Sequence, residues 1–250
     1  MAHNSISPAL LEELRRLSTC LVASAIETFE IRLPNVGFAD SRVRCIFPDL
    51  PAIIGFAATA RVRSSTPPMS GATYYARPDW WKSILEIPAP RIVVLQDEDE
   101  PPGLGGFVGE VHANALAALR CAGLVTNGGV RDLPQVRAIP FPMFAGNIAL
   151  SHAYAHISGF GKAVAVGGLK IQPGELLMAD LHGVISIPLE IAAQVPEVAA
   201  RIECKRREMV SVCRSENFSI ERLREAGEAC GFIRYQEPEM SKTGTKRGAS

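Results

Sequence analysis

The stretch from Arg91 to Asp132 constrains this chain more than any other. Arg91-Ile92-Val93-Val94-Leu95 is a short β-branched run behind Pro88-Ala89-Pro90, the pattern of a buried strand. Gln96 to Pro102 is acidic and turn-rich, and Gly103-Leu104-Gly105-Gly106 follows. His112 to Cys121 is rich in Ala and Leu and poor in β-branched residues, which predicts a helix, closed by Gly123. Leu124-Val125-Thr126 reads as the next strand. A strand, a helix and a second strand in so short a span form a crossover unit, which requires a parallel pair of strands. The expected fold is α/β, built around a parallel sheet.

The remaining chain fits around that unit. Ser7 caps and Pro8 opens an amphipathic helix over residues 7–19, with Leu10, Leu11, Leu14 and Leu17 on one face. Residues 32–52 are punctuated by Pro and Gly and read as loop. Ile53 to Arg63 reads as a strand. Beyond Asp132 come Pro-rich turns and Met143-Phe144-Ala145, and then a β-rich half with short strands at Ala163–Val166, Leu169–Ile171 and Val184–Ile187. Leu189 to about Cys213 reads as helix, shifted at Pro196, and Ser219 caps a last helix through Ala229. Residues 1–236 are read as one domain with an N-terminal helical extension, and the polar stretch 237–250 as a disordered tail.

Composition narrows the function classes. Lys plus Arg and Asp plus Glu each total 26, so the formal net charge is zero, and no basic stripe suits a nucleic acid. The basic run Lys205-Arg206-Arg207 is flanked by Glu203 and Glu208, as on a solvated helix face. No apolar run reaches membrane-spanning length, and no leader pattern precedes the first helix. The six cysteines are scattered, without a Cys-x-x-Cys pair, which suits a reducing, cytoplasmic setting.

Chemistry concentrates where the crossover unit should open. Ligands of open α/β sheets collect at the carboxyl ends of strands and at helix N-termini. The glycine-rich loop ends at Gly109-Glu110, and the second strand ends at Asn127-Gly128-Gly129-Val130-Arg131-Asp132. Two carboxylates, Glu110 and Asp132, and the Arg131 guanidinium are therefore expected at one sheet edge. Hard oxygen ligands suit Mg²⁺ or Mn²⁺, and an adjacent Arg suits a substrate carboxylate or a developing enolate. An ordinary Arg-Asp ion pair beside a turn would use the same residues. His152 and His156 stand four apart, a metal-ligand spacing, but no Glu lies between them, and a structural role is the simpler reading. Trp80 and Trp81 are assigned to core packing.

Gly109-Glu110, then twenty residues, then Arg131-Asp132 resembles the signature of the RraA-like family, read together with Gly123 and Asn127-Gly128-Gly129. Gly55 to Val62 is similar to the family's early strand, and Met143-Phe144-Ala145 to its Pro-Val-Phe-Ala segment. Pro173-Gly174-Glu175 and Asp180-Leu181-His182-Gly183 resemble its later Pro-Gly-Asp and Ala-Asp segments. The likeness runs over roughly residues 10–215. The chain departs from the pattern at Glu110, where Asp is usual, and at Ser24, Asn127, Gln135 and His182.

The resemblance implies an α/β fold, a swivelling β/β/α domain with a central mixed sheet flanked by helices, assembled as homotrimers or dimers of trimers with sites between subunits. It implies a divalent-metal-dependent lyase that cleaves a 4-hydroxy-2-oxo acid, such as 4-hydroxy-4-methyl-2-oxoglutarate, to pyruvate, with oxaloacetate decarboxylation at the same site. Asp132 would bind Mg²⁺ directly, Glu110 would hold a metal-bound water, and Arg131 would contact substrate oxygens. Gly109 and the backbone N–H groups of Val111, His112 and Ala113 would cradle the pyruvyl carboxylate. Glu208 of a neighbouring subunit, or else Glu203, would complete the outer shell. The family also implies an alternative: a non-enzymatic regulator of ribonuclease acting through protein contacts. A methyltransferase is disfavoured, because no glycine-rich loop follows the first strand and no acidic ribose-binding residue follows the second.

Overall fold

The computed structural model describes residues 6–68 and 77–231. The expected tail at 237–250 lies outside them. In chain order the elements are α1 (Pro8–Arg15), α2 (Thr19–Glu27), β1 (Arg44–Cys45), β2 (Ile53–Arg63), α3 (Pro78–Leu85), β3 (Arg91–Asp97) and β4 (Gly106–Val108). There follow α4 (Glu110–Ala118), β5 (Cys121–Thr126), β6 (Gly129–Val130), α5 (Leu133–Arg137), β7 (Met143–Ala145), β8 (Asn147–Ile148) and β9 (His156–Phe160). The chain continues through β10 (Val164–Val166), β11 (Leu169–Ile171), β12 (Leu176–Asp180), β13 (Gly183–Ile187), α6 (Val195–Cys213) and α7 (Ile220–Cys230). It divides into two compact units, residues 1–200 and 201–250.

The first unit is built on a mixed eight-stranded sheet in the order β1-β7-β5-β3-β2-β12-β13, with β9 also paired to β2. Strands β2, β3, β5 and β7 run parallel, and β1, β9, β12 and β13 add antiparallel pairings. The crossover unit is as the sequence predicts, since β3 and β5 pair in parallel with α4 between them. Period-2 alternation splits the core between the two faces. Val93, Leu95 and Leu124 pack with Trp80, Ile84 and Leu116 of α3 and α4. Ile92, Val94 and Val125 pack instead with Val164, Val166, Leu169 and Ile171 of the β10–β11 hairpin. Helices thus cover one face of the mixed sheet and a hairpin covers the other.

Local chemistry explains most boundaries. Ser7 Oγ accepts the Leu10 N–H, and Ser219 Oγ accepts the Arg222 N–H, both side-chain N-caps. The first helix stops at Arg15 rather than continuing to 19, because Ser18 caps a separate helix, α2, that the sequence pattern does not announce. Helix α4 begins at Glu110 and ends at Ala118, and Arg120, at φ +59°, supplies the left-handed exit. Gly123 is therefore no helix cap. It lies inside β5, where a Cβ would sit 2.6 Å from the Pro142 carbonyl oxygen and 2.7 Å from Ile53 Cδ1. Pro196 falls in the first turn of α6, where a missing N–H costs nothing.

A small second sheet positions the chemistry. Strands β4, β6 and β8 form a three-stranded parallel sheet in that order. β4, β6 and β8 follow β3, β5 and β7 respectively along the chain, so the small sheet repeats the strand order of the large one beyond its carboxyl ends. Helices α4 and α5 start where β4 and β6 end.

A candidate anion and metal site at the strand ends

Glu110 and Asp132 are twenty-two positions apart, yet they touch, because β4 and β6 pair in parallel with Val108 opposite Val130. The Arg131 N–H donates to the Val108 carbonyl at 3.0 Å, which carries the pairing up to the helix starts. Asp132 Oδ2 accepts the Glu110 N–H at 3.2 Å. Asp132 Oδ1 accepts Arg131 Nε–H at 3.0 Å. One carboxylate thus ties the N-terminus of α4 to the guanidinium beside it. The side chains of Arg131 and Asp132 keep 25% and 32% of their surface open, so a small ligand can reach both.

The backbone at this point is held in an uncommon state. Asp132 sits at φ +55° and ψ +40°, the left-handed region, as the residue before α5. Such a conformation costs a non-glycine residue on the order of 1–3 kcal/mol and persists only where the surroundings hold it. Here the two hydrogen bonds to its carboxylate do so. Gly109 makes room for them, because a Cβ there would overlap Asp132 Oδ2 and lie 3.0 Å from Arg131 Cγ. Burial alone would raise the Asp132 carboxyl, but the Glu110 N–H and the Arg131 guanidinium outweigh it and hold it below the ordinary carboxylate range. The group stays ionised, as a ligand for a hard cation requires.

The start of α4 sorts the other assigned residues. The Ala113 N–H donates to the Gly109 carbonyl at 2.9 Å, so it belongs to the helix ladder. Val111 and His112 supply the remaining backbone N–H groups of the opening turn, at the positive end of the helix. The Glu110 side chain is exposed, and its carbonyl accepts Asn114 Nδ2–H at 2.9 Å. The His112 ring does not face the sheet edge. It is 2% exposed and packs against Phe107 and Trp81, with centroids 4.8 and 6.1 Å away. Burial, with a smaller contribution from His152, lowers its pKa to about 4, so it is neutral. Trp80, 1% exposed, packs in the same aromatic group, as expected of a core residue.

Two groups that support the site, Asp97 and Asp99, carry no recognisable sequence signal. Asp97 ends β3, and its oxygens accept the Asp99 N–H at 3.0 Å and the Gly103 N–H at 2.7 Å. Asp99 gathers the Ser64 and Ser65 N–H groups and hydroxyls, at 2.6 to 2.8 Å. These two buried carboxylates hold the loop that leads into β4. In sequence they look like an acidic turn. Asn127 clamps the end of β3, accepting the Asp97 N–H at 2.7 Å and donating to its carbonyl at 3.0 Å. An Asp there would lack the donor. His152 Nδ1 meets the Gly106 carbonyl at 2.9 Å, and His156 Nδ1 meets the Tyr154 carbonyl at 2.8 Å, so each histidine anchors backbone.

Glu203 and Glu208 lie on α6 within the second unit, where Glu203 pairs with Arg206 and Arg207 and Glu208 meets two cysteine thiols. A groove of about 970 Å³ in the first unit is lined by residues such as Phe38, Asp40, Lys170 and Glu175, and by none of the strand-end residues above.

Among the described residues, no three of His, Cys, Asp and Glu come close enough to hold an ion by themselves. Such a donor set does not suit a closed zinc cage. It does suit Mg²⁺ or Mn²⁺, which bind through one or two carboxylates and fill their remaining positions with water and substrate oxygens.

Fold and strand-end geometry together define a mixed α/β protein with a candidate site at its strand ends. Comparison with known proteins identifies the family. A profile described as RraA-like, Aldolase/RraA, matches residues 19–186, about two thirds of the chain, and the chain belongs to that family. A protein of Halalkalibacterium halodurans named as a candidate 4-hydroxy-4-methyl-2-oxoglutarate aldolase is 34% identical over 83 residues, 33% of this chain and 40% of its own. The chain spans about two fifths of the length of the curated relatives it matches.

Solved structures share the fold. An uncharacterised protein of Pseudomonas syringae pv. tomato superposes with a TM-score of 0.69 at 20% identity, over 90% of this chain and 97% of its own. A Streptomyces coelicolor protein, described as an unusual member of the RNase ES inhibitor RraA protein family, gives 0.64 at 21% identity, over 85% and 100%.

Proposed function

We propose that this chain is a divalent-metal-dependent lyase that cleaves a 4-hydroxy-2-oxo acid to pyruvate and decarboxylates oxaloacetate. The observation that carries the reading is the Asp132 carboxylate, shared between the Glu110 N–H and Arg131 Nε–H at the strand ends. Family membership supports it, as does the candidate aldolase name of one relative.

Asp132 would hold the ion directly and Glu110 would reach it through water. When bound, the ion would polarise the 2-oxo group and stabilise negative charge on it. Arg131 binds and orients. Asp132 occupies its Nε–H, so its terminal N–H groups are the ones directed to the substrate carboxylate and 2-oxo oxygen, where they stabilise enolate charge. The opening turn of α4, at Val111 and His112, offers backbone N–H groups and the helix dipole to the same carboxylate. Water takes the 4-hydroxyl proton, the C3–C4 bond breaks, its electron pair passes into the pyruvate enolate, and a proton returned to C3 gives pyruvate. Decarboxylation of oxaloacetate passes through the same enolate, so one set of residues serves both.

The natural assembly in this reading is a homotrimer or a dimer of trimers, with Glu208 of a neighbouring subunit completing the site. The exposed apolar side chains Val111 on α4 and Ile148 on β8, with Leu104 and Leu150 in the loops beside β4 and β8, support coverage by a second copy. The test incubates purified protein with Mg²⁺ and oxaloacetate or 4-hydroxy-4-methyl-2-oxoglutarate and measures pyruvate. Activity in the wild type and its loss in Asp132→Ala are expected. No pyruvate from either substrate, or an Asp132→Ala variant as active as the wild type, overturns the reading and leaves the role of a protein-contact regulator.

A further inference from the structure

Two cysteines that lie far apart in sequence share one carboxylate in the second unit. Helix α6 ends at Cys213 and α7 begins at Ile220, so the two helices are joined by a six-residue connection. Cys204 lies nine residues before the end of α6, and Cys230 lies ten residues after the start of α7. At about 1.5 Å rise per residue, both stand roughly 14–15 Å from the connection, at the same level of the hairpin. The side-chain contacts agree. Cys204 Sγ lies 3.9 Å from Glu208 Oε1, and Cys230 Sγ lies 3.2 Å from Glu208 Oε2 and 3.8 Å from the Lys205 carbonyl oxygen.

The two thiols differ in reach. Cys204 is exposed, and Cys230 is buried at 4% exposure. The Cys230 thiol donates to the Glu208 carboxylate at 3.2 Å and is shielded from solvent, so it is reached through its neighbour rather than directly. One carboxylate within 3.9 Å of both sulfurs brings an accessible thiol and a protected one together, which places a resolving cysteine next to an exposed one.

We propose that Cys204 and Cys230 are a peroxide-responsive dithiol that closes to an intramolecular disulfide across the α6–α7 hairpin. In the first step Cys204 sulfur attacks a peroxide oxygen. The O–O bond breaks, hydroxide leaves with the thiol proton as water, and the sulfur is oxidised to a sulfenic acid. In the second step Cys230 sulfur attacks Cys204 sulfur. The S–S bond forms, the S–O bond breaks, and Glu208 passes the Cys230 proton to the departing hydroxide. Two thiols and one hydrogen peroxide yield one disulfide and two waters. Closure takes from Glu208 the thiol proton that it accepts. A consequence for the lyase rests on the reading in which Glu208 completes the site; the disulfide does not.

The test treats the full-length reduced protein with stoichiometric hydrogen peroxide, blocks remaining thiols, and maps tryptic peptides without reduction. The expected product is monomeric, has lost two of its six thiols, and carries peptide 202–205 joined to peptide 225–234. Cys204→Ser and Cys230→Ser should each abolish that peptide pair, and Cys213→Ser and Cys20→Ser should retain it. The wild-type map needs no variant to fold. A cross-link through Cys213 or Cys20, a disulfide between two chains, or Cys204 recovered only as sulfinic acid would overturn the proposal. Pyruvate release plays no part in this readout, so its absence bears on the lyase reading alone.

Discussion

Gly109→Ala isolates the contact on which the site depends. Gly109 has φ −128° and ψ −156°, extended backbone open to any residue, so an alanine brings no conformational strain of its own. Its effect is steric. The added methyl overlaps Asp132 Oδ2 and lies 3.0 Å from Asp132 Cγ and Arg131 Cγ. Gly109 is buried between the paired strand ends, so the carboxylate must rotate or the α4 N-terminus must lift. Either movement breaks the 3.2 Å bond from the Glu110 N–H. Overpacking of this kind costs about 1–3 kcal/mol. At roughly 2–4 °C per kcal/mol for a chain of this size, Tm should fall by about 2–12 °C.

Activity should fall further, since displacing a catalytic group by about 1 Å costs on the order of 100-fold in rate. Thermal unfolding followed by circular dichroism reads the first quantity, and a coupled pyruvate assay reads the second. A variant with unchanged Tm and unchanged pyruvate release would show that Asp132 does not need the room that Gly109 leaves.

Buried His112 makes stability depend on pH. Its folded pKa is lowered from 6.5 to about 4, so the unfolded chain binds one more proton between those values, and stability should rise with pH across that window. The full amplitude is about 3 kcal/mol, and His112→Phe should flatten the profile there; a slope of unchanged size in the variant refutes the assignment. Asp99 acts with the opposite chemistry. Burial raises its carboxyl, but the Ser64 and Ser65 donors outweigh burial, so its stabilisation is present above pH 3.8 and is lost as pH falls through the lowered folded value. Asp99→Asn removes the charge that three donors share at Oδ2 and sets an amide donor against the Ser65 hydroxyl at Oδ1, and should cost about 3 kcal/mol, or roughly 6–12 °C in Tm, with the low-pH dependence reduced; denaturant melts at neutral and acid pH measure both. Chelation with EDTA should abolish pyruvate release and added Mg²⁺ or Mn²⁺ should restore it, whereas turnover that survives chelation removes the divalent ion from the mechanism.

Much of the fold is readable without coordinates, wherever the deciding physics is local. Ile53–Arg63 is predicted and observed with the same limits, because apolar β-branched residues run between two Pro-marked breaks. The caps at Ser7 and Ser219 fall where their hydroxyls can reach N–H groups three residues on. Elements whose justification lies elsewhere in the chain are missed. β12 pairs with β2, more than a hundred residues earlier, and Leu176-Leu177-Met178-Ala179 has no alternation because both of its faces are buried. α2 is tied by Thr19, whose N–H and hydroxyl both reach the Asp180 carboxylate, a contact across 161 positions.

The candidate site divides in the same way. The chain's order of residues determines that a helix starts shortly after Gly109, that Arg131-Asp132 follows a strand, and that a parallel crossover brings the two to one edge. These follow from periodicity, glycine placement and the handed geometry of the crossover, all of which act over a few residues at a time. Only the tertiary structure decides that Asp132 turns left-handed, that its two oxygens join the α4 N-terminus to Arg131, and that the His112 ring faces Phe107 and Trp81 rather than the edge. It also decides that Asp97 and Asp99 are buried struts rather than a solvated acidic turn. The reason is that hydrogen-bond satisfaction in a packed interior is settled among residues that distant segments deliver, so spacing can bring donors and acceptors to the same place without saying which of them will pair.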